Sequence, residues 1–260
     1  MNDMWNRFAR RVVITCRATK VRLPQLRNEL NRVGMTDYET YWSVTPAYHD
    51  RLKRMLASYG NGEYSREPIA LFNNALAHYY VVKSTVDMGL DNVLIMEDDI
   101  RWLKDLDTLA AGVASLPEDY QVASLDVVGT KFDPREHRED TVTGQRLRWG
   151  LYESTFSAAC YALQGAGLRR ALEVYDWVFS SWDRPEKNTE WVRSDWWFCR
   201  KYFSSSETAE NRVTKAYAPV EFNLARQVND LRMHTNTDYN RWSTNSYERN
   251  GRAPRCNYGE

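Results

Sequence analysis

The sequence predicts an α/β fold built on a mostly parallel central sheet. Three observations carry that expectation. Short continuous apolar runs such as VVIT and NVLIM suit strands buried on both faces. Segments with apolar residues at helical spacing lie between them. The chain has 260 residues and 43% hydrophobic content, enough to cover such a sheet on both sides.

The elements follow in chain order. The β-branched block in RRVVITCR reads as a first buried strand. In LPQLRNELNRVG, Leu23, Leu26, Leu30 and Val33 recur at helical spacing and Gly34 supplies a stop. The stretch YWSV then offers a second strand, so the chain opens as a βαβ unit. A second helical block is expected over residues 45–59, closed by the turn-forming GNGEYS. The long segment SREPIALFNNALAHYYVVKSTVDMG reads as a helix, with Pro68 suited to a first turn and Gly89 just past the end. It delivers the chain into the strand NVLIM.

Beyond that strand, YQVASLDVVG is expected as a strand and KFDPREHREDTVTGQ as a polar loop. SAACYAL is expected as a strand, GAGLRRALEVY as a helix started by small residues, and a further helix is expected from Ser194. We read residues 1–234 as one α/β domain. Residues 235–260 are polar, with few periodic apolar positions, and are expected as a flexible or ligand-covering tail.

Composition narrows the function. Thirty-five basic and thirty-five acidic residues cancel, which removes the electrostatic case for nucleic acid as a partner. No window approaches the length of a membrane span and the start has no signal-type apolar stretch, so the expectation is a cytoplasmic protein, compatible with peripheral attachment at a membrane. Cys16, Cys160, Cys199 and Cys256 are widely spaced with no CxxC pair, which argues against a zinc knuckle. Cys16 and Cys160 sit in apolar runs and read as core residues. Ten Trp, sixteen Tyr and eight Phe favour ring stacking on sugar faces as well as core packing.

The chemistry-bearing stretch is NVLIMEDDIRW, where a buried strand ends in Glu97, Asp98 and Asp99. Three adjacent carboxylates repel unless a cation or solvent offsets them. They stand at the carboxyl end of a strand, the edge of an open α/β sheet where ligands collect. Mg²⁺ and Mn²⁺ take oxygen ligands, commonly one or two carboxylates together with water and substrate phosphates. If the strand continued through the triplet, Glu97 and Asp99 would face one side and Asp98 the other. There is no GxxxxGK, GxSxG or HExxH, which sets aside P-loop, α/β-hydrolase and zinc-protease layouts.

Four features together make the chain resemble glycosyltransferase family 25, whose bacterial members extend lipopolysaccharide sugars and whose relatives include collagen galactosyltransferases. They are the first strand with Arg17 after it, the His78 helix ahead of the EDD triplet, the block STFSAACYALQGAGLRRAL, and VRSDWWF with Asp195 before an aromatic. Asn73, Asn74 and Ala77 depart from the Gly-Cys and Ser that many members carry before the histidine.

The resemblance implies a GT-A type, Rossmann-like α/β/α sandwich. It implies a metal-dependent, inverting hexosyltransferase that moves a hexose, such as galactose from UDP-galactose, to a glycan or lipid-linked saccharide. It implies Asp99 first, then Glu97 and His234, for Mn²⁺ or Mg²⁺. Asp98, Thr15, Arg17 and His78 are implied for the nucleotide sugar. Asp195 is implied as the base that deprotonates the acceptor hydroxyl, with Glu190 in reserve. A helix-capping Asp195, a core His78 and a solvent-exposed His234 are the plainer readings of the same residues. Two other functions fit the residues: a metal-dependent phosphoesterase or nuclease, and a non-catalytic sugar-binding protein on a transferase-like fold.

Overall fold

A computed structural model describes residues 4–16, 22–43, 66–126, 131–142, 145–154, 158–181, 208–220 and 224–227. The expected helices over residues 45–59 and from Ser194, and the tail, lie outside the described residues.

The strands are β1 (Arg11–Cys16), β2 (Glu39–Ser43), β3 (Asn92–Glu97), β4 (Ile100–Trp102), β5 (Val122–Ser124), β6 (Lys131–Val142), β7 (Gln145–Ser154), β8 (Cys160–Gln164), β9 (Ala216–Pro219) and β10 (Ala225–Gln227). The described α-helices are α1 (Leu23–Arg32), α2 (Arg66–Asp87), α3 (Leu106–Ala114) and α4 (Ala166–Ser181). Eight strands form one sheet in the order β2-β1-β3-β8-β5-β9-β7-β6, and β4 and β10 pair separately. β2, β1, β3, β5, β9 and β6 run one way, while β7 and β8 run the other. The expected Rossmann-like α/β sandwich with a mostly parallel sheet is therefore present.

Period-2 alternation divides the core between the two faces of the sheet. Val13, Leu94, Met96 and Ala162 pack with Leu26 and Leu30 of α1 and with Leu109 and Val113 of α3. Val12, Ile14, Val93, Ile95 and Leu163 pack on the other face, with Val81 and Val82 of α2 and with Leu168 and Ala171 of α4. Gly34 (φ 71°) and Gly89 (φ 70°) close α1 and α2 in the left-handed region, as their positions in the sequence suggest.

Three local expectations change. The segment read as a polar loop is β6, the outer strand of a hairpin with β7. An edge strand needs no second apolar face, and Pro134 is tolerated there because the pairing register shifts between Phe132 and His137. Helix α3 is an addition to the expected elements, although Asp105 caps it by accepting the Thr108 N–H at 2.8 Å, a signal the sequence carries. Third, β3 stops at Glu97, and a turn at Asp98 and Asp99 replaces the continued strand. Alternation therefore does not govern the triplet.

Candidate active site at the carboxyl edge of the sheet

β1 lies between β2 and β3, and both pairings are parallel. From β1 the chain goes first to β2 on one side and then returns to β3 on the other. The carboxyl ends of β1 and β3 thus flank a reversal in strand order, where open α/β sheets leave a crevice for ligands. Thr15 sits at one of these ends and the acidic triplet at the other.

The structure divides the three carboxylates into two groups. Asp98 accepts the Thr15 hydroxyl on Oδ2 at 2.6 Å and Arg22 Nη1 on Oδ1 at 2.9 Å. The same Arg22 nitrogen donates to Asp99 Oδ2 at 3.3 Å. The Arg22, Asp98 and Asp99 side chains are only 9%, 7% and 8% exposed. Arg22 occupies the N-cap position of α1, with Pro24 in the first turn, so the helix start carries the guanidinium to the strand ends. Thr15 and Asp98 together tie the end of β1 to the end of β3.

Glu97 makes hydrogen bonds to α2. Its Oε1 accepts Asn74 Nδ2 at 2.9 Å and faces His78 Nε2 at 3.3 Å, both from α2. His78 is completely buried, and its Nδ1 lies 2.7 Å from the Tyr161 hydroxyl on β8. A carboxylate only accepts, so Nε2 donates to Glu97. Burial acts to raise the Glu97 pKa, but the hydrogen bonds from His78 and Asn74 and the pull of His78 outweigh it and hold the carboxyl below its ordinary value. Tyr161 is pushed well above the usual tyrosine range by burial, by Tyr175 and by Glu97.

These positions revise the sequence reading. Continued alternation would put Asp99 on the face of Glu97; it shares Arg22 with Asp98 instead, because the chain turns after Glu97. His78, considered for the nucleotide sugar, is buried behind Glu97 and contacts the site through that carboxylate. Among the described residues no three His, Cys, Asp or Glu side chains converge as the protein ligands of one metal ion. Arg17, Glu190, Asp195 and His234 lie outside the described residues.

Two further residues at this edge come from the structure alone. Arg22 carries no local signal, because its partners are 76 and 77 positions away. Asp126, just past β5, is fully buried, its N–H donating to Cys160 O at 3.2 Å. Burial first, and the Asp126 charge second, push the Cys160 thiol well above its ordinary pKa. Cys160 is thus the inert core thiol the sequence suggests.

No protein-family model matches the chain. No curated protein matches it either. Among solved structures it is similar to the crystal structure of mannose-1-phosphate geranyltransferase from Thermus thermophilus, with 12% identity and a TM-score of 0.37, over 84% of this chain and 75% of that one. A likeness of that degree carries no inference about activity. No helix among the described residues is long and apolar enough to cross a membrane.

Proposed function

We propose that the chain is a GT-A type glycosyltransferase, akin to glycosyltransferase family 25, that transfers a hexose from a nucleotide sugar to a saccharide acceptor with inversion. The observation that supports this reading is the buried Thr15–Asp98–Arg22–Asp99 group at the strand-order reversal between β1 and β3. UDP-galactose is the donor the resemblance implies.

The donor set suits Mn²⁺ or Mg²⁺. Asp98 and Asp99 already hold one positive group, the Arg22 guanidinium, so this edge of the sheet is built to take positive charge. Their oxygens are hard ligands. Two carboxylates suffice for these ions when waters and substrate phosphates complete the shell. Asp99 is the proposed principal ligand, as the resemblance implies. When bound, the ion supplies neutralisation of the departing nucleoside diphosphate. The remaining work falls to the chain. Thr15 and Asp98 fix the floor of the crevice, and Arg17 is assigned to the diphosphate, whose oxygens its planar fork matches. Asp195 is assigned to accept the proton of the acceptor hydroxyl, with Glu190 as the alternative base.

The test is release of free nucleoside diphosphate from a panel of nucleotide sugars, with Mn²⁺ and with chelator. Metal-dependent hydrolysis of one donor supports the reading. Cleavage of simple phosphodiesters, or donor binding without turnover across many acceptors, would replace it. Asp99→Ala is expected to abolish metal-dependent donor binding, whereas Asp195→Ala is expected to spare binding and stop transfer.

A further inference from the structure

We propose that the outer face of the β4–β10 pair holds a phosphate group at Arg101 and Arg226, and that this phosphate belongs to the acceptor. The anion site stands independently of the nucleotide-sugar reading; its assignment to an acceptor rests on that reading. Arg226 is directly opposite Arg101 in the antiparallel register, between the pairs Ala225–Trp102 and Gln227–Ile100. Ile100, Trp102 and Ala225 are buried in the core, so alternation puts the two arginine positions together on the opposite face. Arg101 is exposed there. Directly opposite positions stand about 5 Å apart, and like charges so placed weaken a strand pair. An anion that bridges them removes that cost, and the planar guanidinium fork matches phosphate oxygens.

The neighbouring carboxylates are engaged elsewhere. Glu29, whose charge interacts with Arg101, gives both oxygens to Arg32 and one of them also to the Trp102 N–H. Asp105 accepts the N–H and the hydroxyl of Thr108 at the start of α3. Lys104 and Asp107 bring one charge of each sign. Among the described residues, the Arg101 side chain makes no hydrogen bond or ion pair. In the turn before β4, Glu97, Asp98 and Asp99 outnumber Arg22 among the described residues, so a bare anion is disfavoured there. The arginine pair is the nearby face that attracts it. β4 starts directly after Asp99, and β10 is tied to the end of β5 by the Ala225 N–H to Leu125 O at 3.1 Å, so the pair lies on strands that leave the candidate site. Leu103, 45% exposed, extends β4 by donating its N–H to Leu224 O at 2.9 Å, and Leu106, 37% exposed, opens α3. These leucines offer apolar surface to a lipid that carries the phosphate; the phosphate of a soluble saccharide would meet the same two arginines.

The experiment measures binding of glucose 6-phosphate to the full chain by calorimetry, with glucose as the control and with or without saturating UDP and Mn²⁺. A parallel arm measures co-sedimentation with vesicles of phosphatidylglycerol and of phosphatidylcholine. The natural protein is expected to bind the phosphorylated probe and not glucose, with an affinity that UDP and Mn²⁺ leave unchanged. Arg101→Gln and Arg226→Gln are each expected to weaken it about tenfold, the effect of losing one charge-assisted hydrogen bond. Arg101→Lys, a point charge without the planar fork, is expected to weaken it less and serves where the glutamine variant does not fold. Retention on phosphatidylglycerol vesicles that the same variants lose supports the site and puts the phosphate on a lipid. Binding of glucose 6-phosphate without vesicle retention supports it and puts the phosphate on a soluble saccharide. No binding of either probe, equal binding by the natural protein and the glutamine variants, or displacement of glucose 6-phosphate by UDP overturns the proposal. Absence of any donor hydrolysis, with the phosphate still held at Arg101, would sink the nucleotide-sugar reading and leave the anion site standing.

Discussion

Glu29 shows how a carboxylate on this scaffold is made structural. It accepts the Trp102 N–H at 2.7 Å and two bonds from Arg32 at 3.0 and 2.6 Å, joining α1 to β4. Burial alone would raise its pKa, but the Arg32 and Trp102 hydrogen bonds outweigh burial and place it below the ordinary glutamate value. A folded-state pKa below the unfolded one gives stabilisation that is present in full above the ordinary glutamate range and fades as the pH falls through the folded value. Glu29→Gln keeps the shape and removes the charge. Solvent screens the pair, because the Arg32 side chain is 44% exposed. The substitution is therefore expected to cost only about 1 kcal/mol at neutral pH, with the difference shrinking in acid, in urea unfolding of both proteins. A difference that does not change with pH would refute the ionic role.

At the sheet edge the arithmetic is harsher, because Asp98 and Arg22 are both nearly out of water. Asp98→Ala leaves the guanidinium short of a partner, and the loss expected for breaking a buried pair is about 3–5 kcal/mol. Circular-dichroism melts in denaturant would measure it. A loss near zero would show that solvent reaches Arg22 freely. Of this site the sequence revealed the acidic triplet and its strand-end location, since an apolar run stopping in charge is a local pattern. It did not reveal Arg22 as the partner or the division of labour between Glu97 and its neighbours. Both depend on contacts between α1, α2 and β3 that only the folded chain creates.

At the scale of elements, the join between β8 and α4 is the tightest feature that the sequence announces without explaining. Gln164 ends β8, Gly165 turns with φ 53°, and α4 begins at Ala166. A Cβ on Gly167 would stand 1.9 Å from the Gln121 carbonyl oxygen and 2.7 Å from its carbon, both backbone atoms just before β5. That oxygen also accepts the Gln164 N–H at 3.0 Å, so it has no room to withdraw. A Cβ on Gly165 meets nothing within 4 Å and only the left-handed backbone disfavours it. Gly167→Ala is therefore expected to cost about 3 kcal/mol or more, and Gly165→Ala about 1 kcal/mol, in parallel urea titrations. The reverse ranking would mean that α4 shifts freely on the sheet. Elements with their own periodic or capping signals, β1, α1, α2, β3 and α4, were legible in the sequence. The β6–β7 hairpin was not, because an edge strand with polar residues and a proline lacks the alternation that reading depends on.

Across the whole molecule, the candidate site draws on Thr15, Arg22 and the 97–99 triplet, so β1, α1 and β3 must all be in place for it to exist. In the unfolded chain Thr15 and Asp98, for instance, stand 83 positions apart, and the groups hold no ligand together. A ligand of the folded site therefore stabilises the entire domain by mass action. At one hundred times its dissociation constant the gain is about 2.7 kcal/mol. For a chain of this size that corresponds to a rise in melting temperature of roughly 5–10 °C. The proposed reading expects such a rise with UDP and Mn²⁺ together, and loss of the metal-dependent part in Asp99→Asn. That variant keeps the side-chain shape but removes the charge, so its own melting point serves as the baseline. An undiminished shift in Asp99→Asn would place the metal elsewhere.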